Sequence, residues 1–465
     1  MILKFLKKNG NRRLILIFTG WGTGPELYTG VDIPGWDVAV AFRVDGKPLA
    51  MDKLEGYYTI YLFAWSLGVY MADLKLSPER ITKAFAINGT VAPVHDDYGI
   101  PVDIFRGTAD NLNPRNLTKF RRRTMPDSET FKRLFPEEGS PLMCRCLASQ
   151  LHEVMELTGN GNVTPRLQWT RAYIGTSDRI FPPKNLENAW RLDSEVEIVK
   201  SDDAHFMDIP AIIRSVIADT DKVSSRFSKA AATYDSHAIP QKMIALHLAD
   251  MLRRVADSAK MRRVLEIGPG TGFLTRAWTG FLTPDHTDFV DITPVGPFDT
   301  PGHADYHIAD AEAWVADWSG NRGNGKNRRN GECCEKYDLI VSSSAIQWFA
   351  DIPRFLANCA AILNPDGILA ISTFAPGNLS ELDVLRPAPL LYPTLNKLRN
   401  ALEGHFFVMD HDNFTIRMEF ENRRHLMMHL KHTGVAGSAS PSKVAPLTDF
   451  STLTYRPVFI LGRRK

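Results

Sequence analysis

The amino-acid sequence predicts an α/β protein built from two successive domains. The chain has 465 residues, whereas a single hydrophobic core usually serves about 100–200 residues. Apolar strand-like runs, each followed by a glycine-containing turn and a helical pattern, cross residues 14–205 and return from Val264 onward. That alternation is typical of α/β folds. The polar stretch 217–225 separates the two regions, so the predicted domains are 1–218 and 224–465.

Composition and charge narrow the class of protein. With 55 Lys and Arg against 53 Asp and Glu, the formal charge is +2, so no overall basic field attracts nucleic acid or an anionic membrane. No apolar run approaches the ~20 residues that cross a bilayer. The five cysteines form no disulfide framework, and Cys144 and Cys146 are too close together for a zinc half-site. We therefore expect a cytoplasmic protein without metal, membrane or nucleic acid.

A candidate nucleophile follows the first strongly apolar region. The run 57–64 leads directly into Trp65-Ser66-Leu67-Gly68 and a helical continuation, the strand–serine–helix order of the α/β-hydrolase elbow. That turn needs small residues on both sides of the serine. Gly68 provides one, and Ala64 provides the other in place of the usual glycine. A serine that only caps a buried helix would give the same pattern, so this motif alone leaves both readings open.

Two later segments supply partners for this serine. A strand over 171–175 ends just before Asp178, and a strand over 196–200 precedes His205. The order Ser66, Asp178, His205 is that of α/β-hydrolases. In this interpretation His205 accepts the serine proton, while Asp178 fixes the imidazole tautomer and stabilises the imidazolium.

Other acids and bases compete for these roles. Asp202 and Asp203 stand close before His205, where they more plausibly shape its loop, so Asp178 is preferred. His95 is the rival base and is expected to be structural.

An oxyanion hole needs two backbone N–H groups, one from the residue after the nucleophile and one from a loop after an early strand. Leu67 and Trp21 occupy those places, since the buried strand 14–18 is followed by a glycine-rich turn at 19–24. The alternative reading is a plain tight turn.

The predicted hydrolase domain contains an insertion where such folds carry a cap, at about 111–149. This segment concentrates positive charge, including the run Arg121, Arg122 and Arg123. The cluster is either a docking face for an acidic protein or an ordinary solvated helix face.

A glycine loop opens the second domain. The strand 263–267 carries Glu266 and leads into Gly268-Pro269-Gly270-Thr271-Gly272. This E-x-G-x-G-x-G form differs from the dinucleotide fingerprint and lets the backbone approach an amino-acid and ribose moiety. About twenty residues on, Asp291 ends a second strand in position to accept from ribose hydroxyls, and Asp310 follows the next strand in position to lie beside adenine. Together they favour S-adenosylmethionine over NAD, and a Rossmann-like class I methyltransferase domain.

Residues after the strand 337–344 are candidates for contact with the substrate. Gln347 and Trp348 follow the strand 337–344 and either face the substrate or pack in the core. The absence of an N/D-P-P-Y/F motif counts against methylation of nucleic-acid bases. The segments 415–421 and 457–461 are predicted to pair as antiparallel strands.

Motifs in both halves are shared with known families. In the first half they are FTGWG at 18–22, AWSLG at 64–68, AINGT at 86–90 and GTSDRIFPP at 175–183; in the second, RFSKAAATYD at 226–235, Gln241, VLEIGPGTG at 264–272 and AIQWF at 345–349. The first half resembles the pimeloyl-acyl-carrier-protein methyl ester esterases of the BioG type. From Ser224 onward the chain resembles the malonyl-acyl-carrier-protein O-methyltransferases of biotin synthesis, the BioC family. The insertion 320–331 and the Pro-rich stretch 294–301 depart from the compact methyltransferase pattern.

The resemblance implies a bifunctional enzyme of biotin synthesis. Its partner would be an acidic acyl carrier protein, which strengthens the docking reading of Arg121–Arg123, and Tyr234 would lie on the substrate side. A carboxylate nucleophile is already ionised at pH 7, so no essential histidine is expected in the second domain. The esterase should discriminate by acyl length to avoid cleaving the malonyl ester. Two alternatives remain: a small-molecule carboxyl methyltransferase fused to a broad carboxylesterase, and a carrier-binding scaffold with one inactive domain.

Overall fold

The computed structural model describes residues 1–43, 47–137, 139–159, 161, 163–217, 220–321, 336–385, 391–433 and 451–465. The chain forms two compact units, Met1–Ile213 and Arg214–Lys465, and the division falls within a helix at Ile209–Val216. The predicted boundary, 218–224, lies a few residues later, where 218 and 219 are outside the described residues. Most of the predicted insertion 320–331, together with Cys333 and Cys334, also lies outside them.

The N-terminal unit is organised around a seven-stranded sheet. Its strands are β1 (Ile2–Lys7), β2 (Arg13–Phe18), β3 (Asp37–Phe42), β4 (Thr59–Trp65), β5 (Lys83–Ile87), β6 (Trp169–Gly175) and β7 (Glu197–Ser201). Their order is β1-β3-β2-β4-β5-β6-β7. Only β1 is antiparallel to its neighbour. Strands β2 and β4 are buried along their whole length, because helices cover both faces of such sheets and the strands are continuously apolar.

Helices connect these strands and form a cap. They are α1 (Leu67–Lys75), α2 (Val102–Asp110), α3 (Pro114–Thr124), α4 (Ser128–Leu134), α5 (Pro141–Leu157), α6 (Pro183–Trp190) and α7 (Ile209–Val216). Helices α2 to α5 all lie between β5 and β6. The predicted cap at 111–149 covers α3, α4 and half of α5, so the helical insertion is longer than predicted at both ends.

The C-terminal unit has a second seven-stranded sheet. Its strands are β8 (Arg263–Ile267), β9 (His286–Asp291), β10 (His303–Ile308), β11 (Tyr337–Ser343), β12 (Leu363–Phe374), β13 (Phe406–Asn413) and β16 (Pro457–Arg464), and a separate pair consists of β14 (Ile416–Glu419) and β15 (Thr452–Tyr455). The order is β10-β9-β8-β11-β12-β16-β13. Five strands run parallel, and β16 lies antiparallel between β12 and β13.

The predicted antiparallel pairing at the end of the chain was wrong about the partner. Strand β16 pairs with β12 and β13, whereas β14 pairs with β15 in the two-stranded sheet. The sequence of β13, FFVMDHDN, is polar and only partly buried. An edge strand of this kind shows little of the apolar signal by which strands are found.

Seven further helices belong to this part of the chain as described. They are α8 (Thr220–His237), α9 (Ile239–Val255), α10 (Phe273–Trp278), α11 (Ala311–Asn321), α12 (Ile352–Ile362), α13 (Leu395–Glu403) and α14 (Arg423–Thr433). Apolar side chains form cores on both faces of the second sheet. The carboxyl ends of β8, β9, β10 and β11 meet at one edge, which is where ligands bind in open α/β sheets. None of the described helices has the length and apolarity needed to cross a membrane.

Candidate functional sites

The first site is centred on a strained turn between β4 and α1. Ser66 has φ 57° and ψ −131°, a conformation that side chains rarely adopt and that marks a nucleophile elbow. A Cβ at position 68 would collide with the carbonyl oxygen of Phe18, so glycine is required there. The side chain of Ser66 makes no capping hydrogen bond to α1, so the helix-cap reading of this serine is wrong.

His205 links this serine to a carboxylate. Its Nε2 lies 2.9 Å from Ser66 Oγ, and its Nδ1 lies 2.7 Å from Asp178 Oδ2. The other oxygen of Asp178 accepts hydrogen bonds from the amides of Ile180 and Phe181, at 2.7 and 3.1 Å. All three groups are buried. The arrangement can transfer the serine proton to the imidazole and hold the resulting positive charge against a fixed carboxylate.

The rival acids and base make other contacts. Asp203 accepts from Ser201 Oγ at 2.6 Å, and Asp202 lies 3.3 Å from Thr176 Oγ1. His95 Nδ1 accepts from the backbone amide of Asp97. None of these three residues replaces Asp178 or His205 in the hydrogen bonds that connect Ser66, His205 and Asp178.

Two residues that the sequence reasoning did not single out hold the His205 loop. The Asn88 side-chain amide donates to the carbonyls of Ala204 and His205, both at 2.9 Å, and its oxygen accepts from the amide of Gly175 at 2.8 Å. Trp65 Nε1 donates to the same His205 carbonyl at 2.8 Å. Asn88 directly follows β5 and has φ 43°. A polar residue at the end of a buried strand is the sequence signal that could have indicated its role.

The predicted oxyanion residues line the same cavity as Ser66. Trp21 and Leu67 both border it, and among the backbone hydrogen bonds of the described residues none is donated by either amide. The Trp21 indole donates to the carbonyl of Leu147 in α5 at 3.0 Å, which ties the loop to the cap. The space in the cavity and its open mouth together amounts to about 760 Å³. Its apolar lining includes Ile104, Phe105, Leu117, Phe120, Leu151 and Ile180.

Of the arginines of α3, the run Arg121, Arg122 and Arg123 is divided between this cavity and the surface. Arg121 and Arg123 line the cavity, and Arg122 and Arg123 are exposed. Arg122 lies 5.2 Å from the Phe131 ring centroid. The Arg121 guanidinium lies 4.5 Å from the Phe135 ring centroid. Burial lowers the pKa of Arg121, although guanidinium groups stay charged in proteins. Arg123 donates to the carbonyl of Arg179 at 2.6 Å. Positive charge therefore extends from the cap surface into the cavity.

The second site is built on the glycine loop after β8. Gly268, Gly270 and Gly272 have φ of 65°, 54° and 87°, the left-handed region that favours glycine. A Cβ at Gly268 would lie 2.5 Å from the Cβ of Ala345. The loop therefore passes directly beside the segment that follows β11.

The three predicted acids of this domain stabilise the loop and its neighbours. Glu266 is buried and accepts from Thr275 Oγ1 and Trp278 Nε1 of α10, at 2.9 and 2.8 Å. Burial raises its pKa to about 7, against the effect of these hydrogen bonds. Asp291 accepts from the amide of Gly270 at 3.2 Å, and burial raises its pKa. Asp310 accepts from the amide of Ala313 in the first turn of α11.

Several buried polar atoms of β8, of the glycine loop and of the segment after β11 lack protein partners within the described residues. They are Glu266 Oε1, Thr271 Oγ1, Ser344 Oγ, Gln347 Oε1 and Trp348 Nε1. Unpartnered buried polar groups are costly, and this set of donors and acceptors suits a ligand with ribose, amino and carboxylate groups. Tyr234 lies 6.0 Å from Phe273, ring to ring, at the start of α10. The residues present therefore fit S-adenosylmethionine.

Fold and site together define two classes of domain: an α/β-hydrolase unit with a serine–histidine–aspartate arrangement, and a Rossmann-like methyltransferase unit. Residues 1–210 match the family described as "Pimeloyl-ACP methyl esterase BioG", and residues 238–429 match a "Methyltransferase domain" family. The chain thus belongs to the BioG family in its first part and to a methyltransferase family in its second, which confirms the resemblance and the fold class predicted from the sequence. The methyltransferase domain implies S-adenosylmethionine as cofactor.

Individual relatives cover one or both units. A malonyl-[acyl-carrier protein] O-methyltransferase of Bacteroides fragilis is 29% identical over 98% of this chain and 93% of its own length. An enzyme of the same name from Haemophilus influenzae is 27% identical over 53% of this chain and 95% of its own length. The crystal structure of BioG from Haemophilus influenzae is 29% identical, covers 45% of this chain and 95% of its own, and superposes with a TM-score of 0.41.

Proposed function

We propose that this chain is a bifunctional enzyme of biotin synthesis. Its C-terminal unit methylates the free carboxylate of a malonyl group on acyl carrier protein, and its N-terminal unit later hydrolyses the methyl ester of a pimeloyl group on the same carrier. The observation that carries the hydrolase half is His205 bridging Ser66 and Asp178 beside an apolar cavity. The similarity to one malonyl-carrier methyltransferase over 98% of the chain supports the other half. The proposal includes a cytoplasmic location and no nucleic-acid partner.

In the hydrolase unit, Ser66 Oγ attacks the ester carbonyl as His205 Nε2 accepts its proton. The amides of Trp21 and Leu67 donate to the developing oxyanion, and Asp178 stabilises the imidazolium. The imidazolium then protonates the departing methoxide, which leaves as methanol, and an acyl-serine remains. Water attacks that acyl group as His205 again accepts a proton. The imidazolium gives this proton to Ser66 Oγ as the acyl–oxygen bond breaks, which restores Ser66 and releases the carboxylate.

The cavity supports selection by acyl length. Its lining is mostly apolar, and burying a methylene group is worth about 0.8 kcal/mol. A pimeloyl chain buries more methylenes than a malonyl group, so the longer ester binds better. This preference prevents the hydrolase from removing the methyl group that the other unit has just added.

Arginine charge supports an acidic carrier as partner. Arg122 is exposed on α3, while Arg121 and Arg123 reach the cavity. An acidic carrier docked on this helix would deliver its acyl group toward Ser66, and charge complementarity of this kind raises the association rate.

In the methyltransferase unit, the substrate carboxylate needs no general base because it is ionised at pH 7. S-adenosylmethionine, when bound, supplies an electrophilic methyl group. The Gly268–Gly272 loop, with Glu266 and Asp291 behind it, would hold that cofactor, and Asp310 would lie on its adenine side. Tyr234, Gln347 and Trp348 would orient the carboxylate and exclude water, which is the main requirement of such a transfer.

The methyl transfer is tested with the Ser66→Ala variant, which cannot hydrolyse the product. The purified variant is incubated with S-adenosylmethionine and malonyl-acyl carrier protein, and the intact mass of the carrier is measured. A gain of one methyl group is expected. An unchanged mass, with cofactor binding demonstrated by calorimetry, would contradict the proposal and favour a small-molecule carboxyl methyltransferase.

The hydrolysis is tested with the unsubstituted chain and two methyl esters on the carrier. The pimeloyl ester should be cleaved much faster than the malonyl ester, and equal rates would overturn the length selection. A fluorophosphonate probe should label the chain and should fail to label Ser66→Ala. Failure to label the unsubstituted chain would favour a carrier-binding scaffold with an inactive hydrolase unit.

A further inference from the structure

A cluster of imidazoles and carboxylates lies at the start of β9 and β10. The parallel register places His286 opposite His303 and Asp288 opposite Asp305. Side chains alternate along a strand, so residues two positions apart share a face. These four side chains therefore project from the same face of neighbouring strands. Asp291, which contacts the glycine loop, lies at the other end of β9.

The spacing within this cluster is that of ligands around one ion. His286 Nε2 lies 3.5 Å from Asp305 Oδ2, and His303 Nε2 lies 3.3 Å from Asp305 Oδ1. One ligand atom from each of the three residues lies within 4.8 Å of the others. Two ligands held at about 2.0–2.1 Å from a tetrahedral ion are about 3.3 Å apart. The carboxylate of Asp305 thus lies between two imidazole nitrogens, at distances close to those between two ligands of one ion.

Neighbouring groups already engage the other carboxylate of the cluster, Asp288. Asp288 lies 3.2 Å from His286 Nε2, but it already accepts from Tyr337 Oη and interacts with His307 Nε2, at 2.7 and 2.8 Å. Arg263 lies 3.6 Å from the same carboxylate and balances part of its charge. Asp305 has no such protein donor beyond the two imidazoles in the contacts of the described chain. It is the carboxylate that remains available to a cation.

We propose that His286, His303 and Asp305 bind a divalent transition metal ion of the Zn²⁺ class. Two imidazoles and one carboxylate are a recurring ligand set for such ions, and they leave a coordination position for water. The His303 side chain is 69% exposed and that of His286 is 20% exposed, so the site is open to ions from solvent on one side and supported on the other.

The position of the site assigns it a structural role. Strand β10 is at the edge of the sheet, and the ion would join its first residues to β9. A ligand that binds only the folded state stabilises that state by mass action. The ion therefore stabilises the C-terminal unit and takes no part in methyl transfer, whose residues lie at the opposite ends of these strands. The cysteine spacing predicts no metal site, whereas these ligands come together through strand register.

The experiment uses the full chain without a polyhistidine tag, freed of metal by chelation. Zn²⁺ is titrated in competition with a chromophoric chelator, and Co²⁺ is followed by its visible absorption. His303→Ala and the isosteric Asp305→Asn are compared with His411→Ala, which removes an exposed histidine outside the cluster. Methyl transfer to malonyl-acyl carrier protein verifies that each variant is folded.

One equivalent of Zn²⁺ should bind to the unsubstituted chain and to His411→Ala, and should raise the unfolding temperature of the C-terminal unit. Both cluster variants should lose affinity by about 100-fold or more, and Zn²⁺ should no longer shift their unfolding temperature. Equal affinity in His303→Ala and the unsubstituted chain would overturn the proposal. So would the absence of any Zn²⁺ binding that competes with the chelator.

Discussion

The two candidate active sites differ in where their reacting groups come from. In the N-terminal unit, a hydroxyl, an imidazole and a carboxylate of the same chain lie within hydrogen-bond distance, at 2.9 and 2.7 Å. In the C-terminal unit, Thr271 Oγ1 and Trp348 Nε1 are among the buried atoms near the glycine loop that lack a protein partner. The first site contains its reagents as side chains. The second is shaped by backbone for a reagent that must bind.

This difference predicts different sensitivity to substitution. Removing one atom from the first site removes a reacting group, whereas the second site is most sensitive to changes in the space and backbone geometry that receive the cofactor.

The largest effect is expected at the hydroxyl and the imidazole. Ser66→Ala and His205→Ala should each lower hydrolysis of pimeloyl methyl ester on the carrier by about 10⁴-fold or more. Methyl transfer by the same proteins should stay unchanged. His95→Ala is the matched control, since this histidine accepts a hydrogen bond from Asp97 and packs against Tyr98 in its own loop. A loss of similar size in His95→Ala would contradict the assignment of the base.

A methyl group at Gly268 should impair the second site alone. Alanine there would require a left-handed conformation at φ 65° and would place its Cβ 2.5 Å from that of Ala345. The Kd for S-adenosylmethionine, measured by calorimetry, should rise about 100-fold, with ester hydrolysis unaffected. Gly280→Ala is the control, because the nearest atom to a Cβ there lies at 3.5 Å. Equal affinity in the two variants would remove the steric argument.

Glu266 should make the stability of the C-terminal unit depend on pH. Burial raises its pKa from 4.5 to about 7, so the folded state holds the proton more tightly than the unfolded state. The resulting stabilisation is complete below pH 4.5 and is lost as the pH rises toward 7. Glu266→Gln should therefore be more stable than the unsubstituted chain at pH 8, by about 3 kcal/mol.

Pulse proteolysis in urea measures this difference, because it resolves the unfolding of each unit in the full chain. The two proteins should converge near pH 4.5. A difference that does not change between pH 5 and pH 8 would exclude titration of Glu266 as its cause.

The smallest effect is expected at Asn88, a positioning residue. Asn88→Ala removes the donor to the carbonyls of Ala204 and His205, and kcat for ester hydrolysis should fall about tenfold while KM changes little. The rate of fluorophosphonate labelling should fall in parallel. Asn188→Ala, in α6 of the same unit, is the control. A change confined to KM would show that Asn88 acts on substrate binding rather than on the histidine.

The features that the sequence predicted best are those encoded locally. The elbow around Ser66 and the glycine loop after β8 each combine an apolar strand, a conformationally demanding turn and a helix within a few residues. Such signals need no knowledge of distant contacts. The order of Ser66, Asp178 and His205 along the chain then completed the prediction.

Features that depend on distant contacts were missed. Asn88 and His205 are 117 positions apart, and Trp65 and His205 are 140 apart, so no local pattern joins them. The predicted partner of β16 was wrong because β13 is a polar edge strand, which the apolar pattern of the sequence does not reveal. The His286 and Asp305 contact likewise follows from the register of two parallel strands, which sequence periodicity does not determine.

The presence of both units in one chain fixes the ratio in which the two catalysts are made. Under the proposed function, every ribosome that makes a group-masking catalyst also makes one unmasking catalyst, so their ratio is fixed at synthesis. Transcription and translation cannot favour one over the other. The order of the two reactions must then depend entirely on their rate constants. The rate constant that matters most is that of ester hydrolysis, which depends on how the cavity beside Ser66 distinguishes a long acyl chain from a short one.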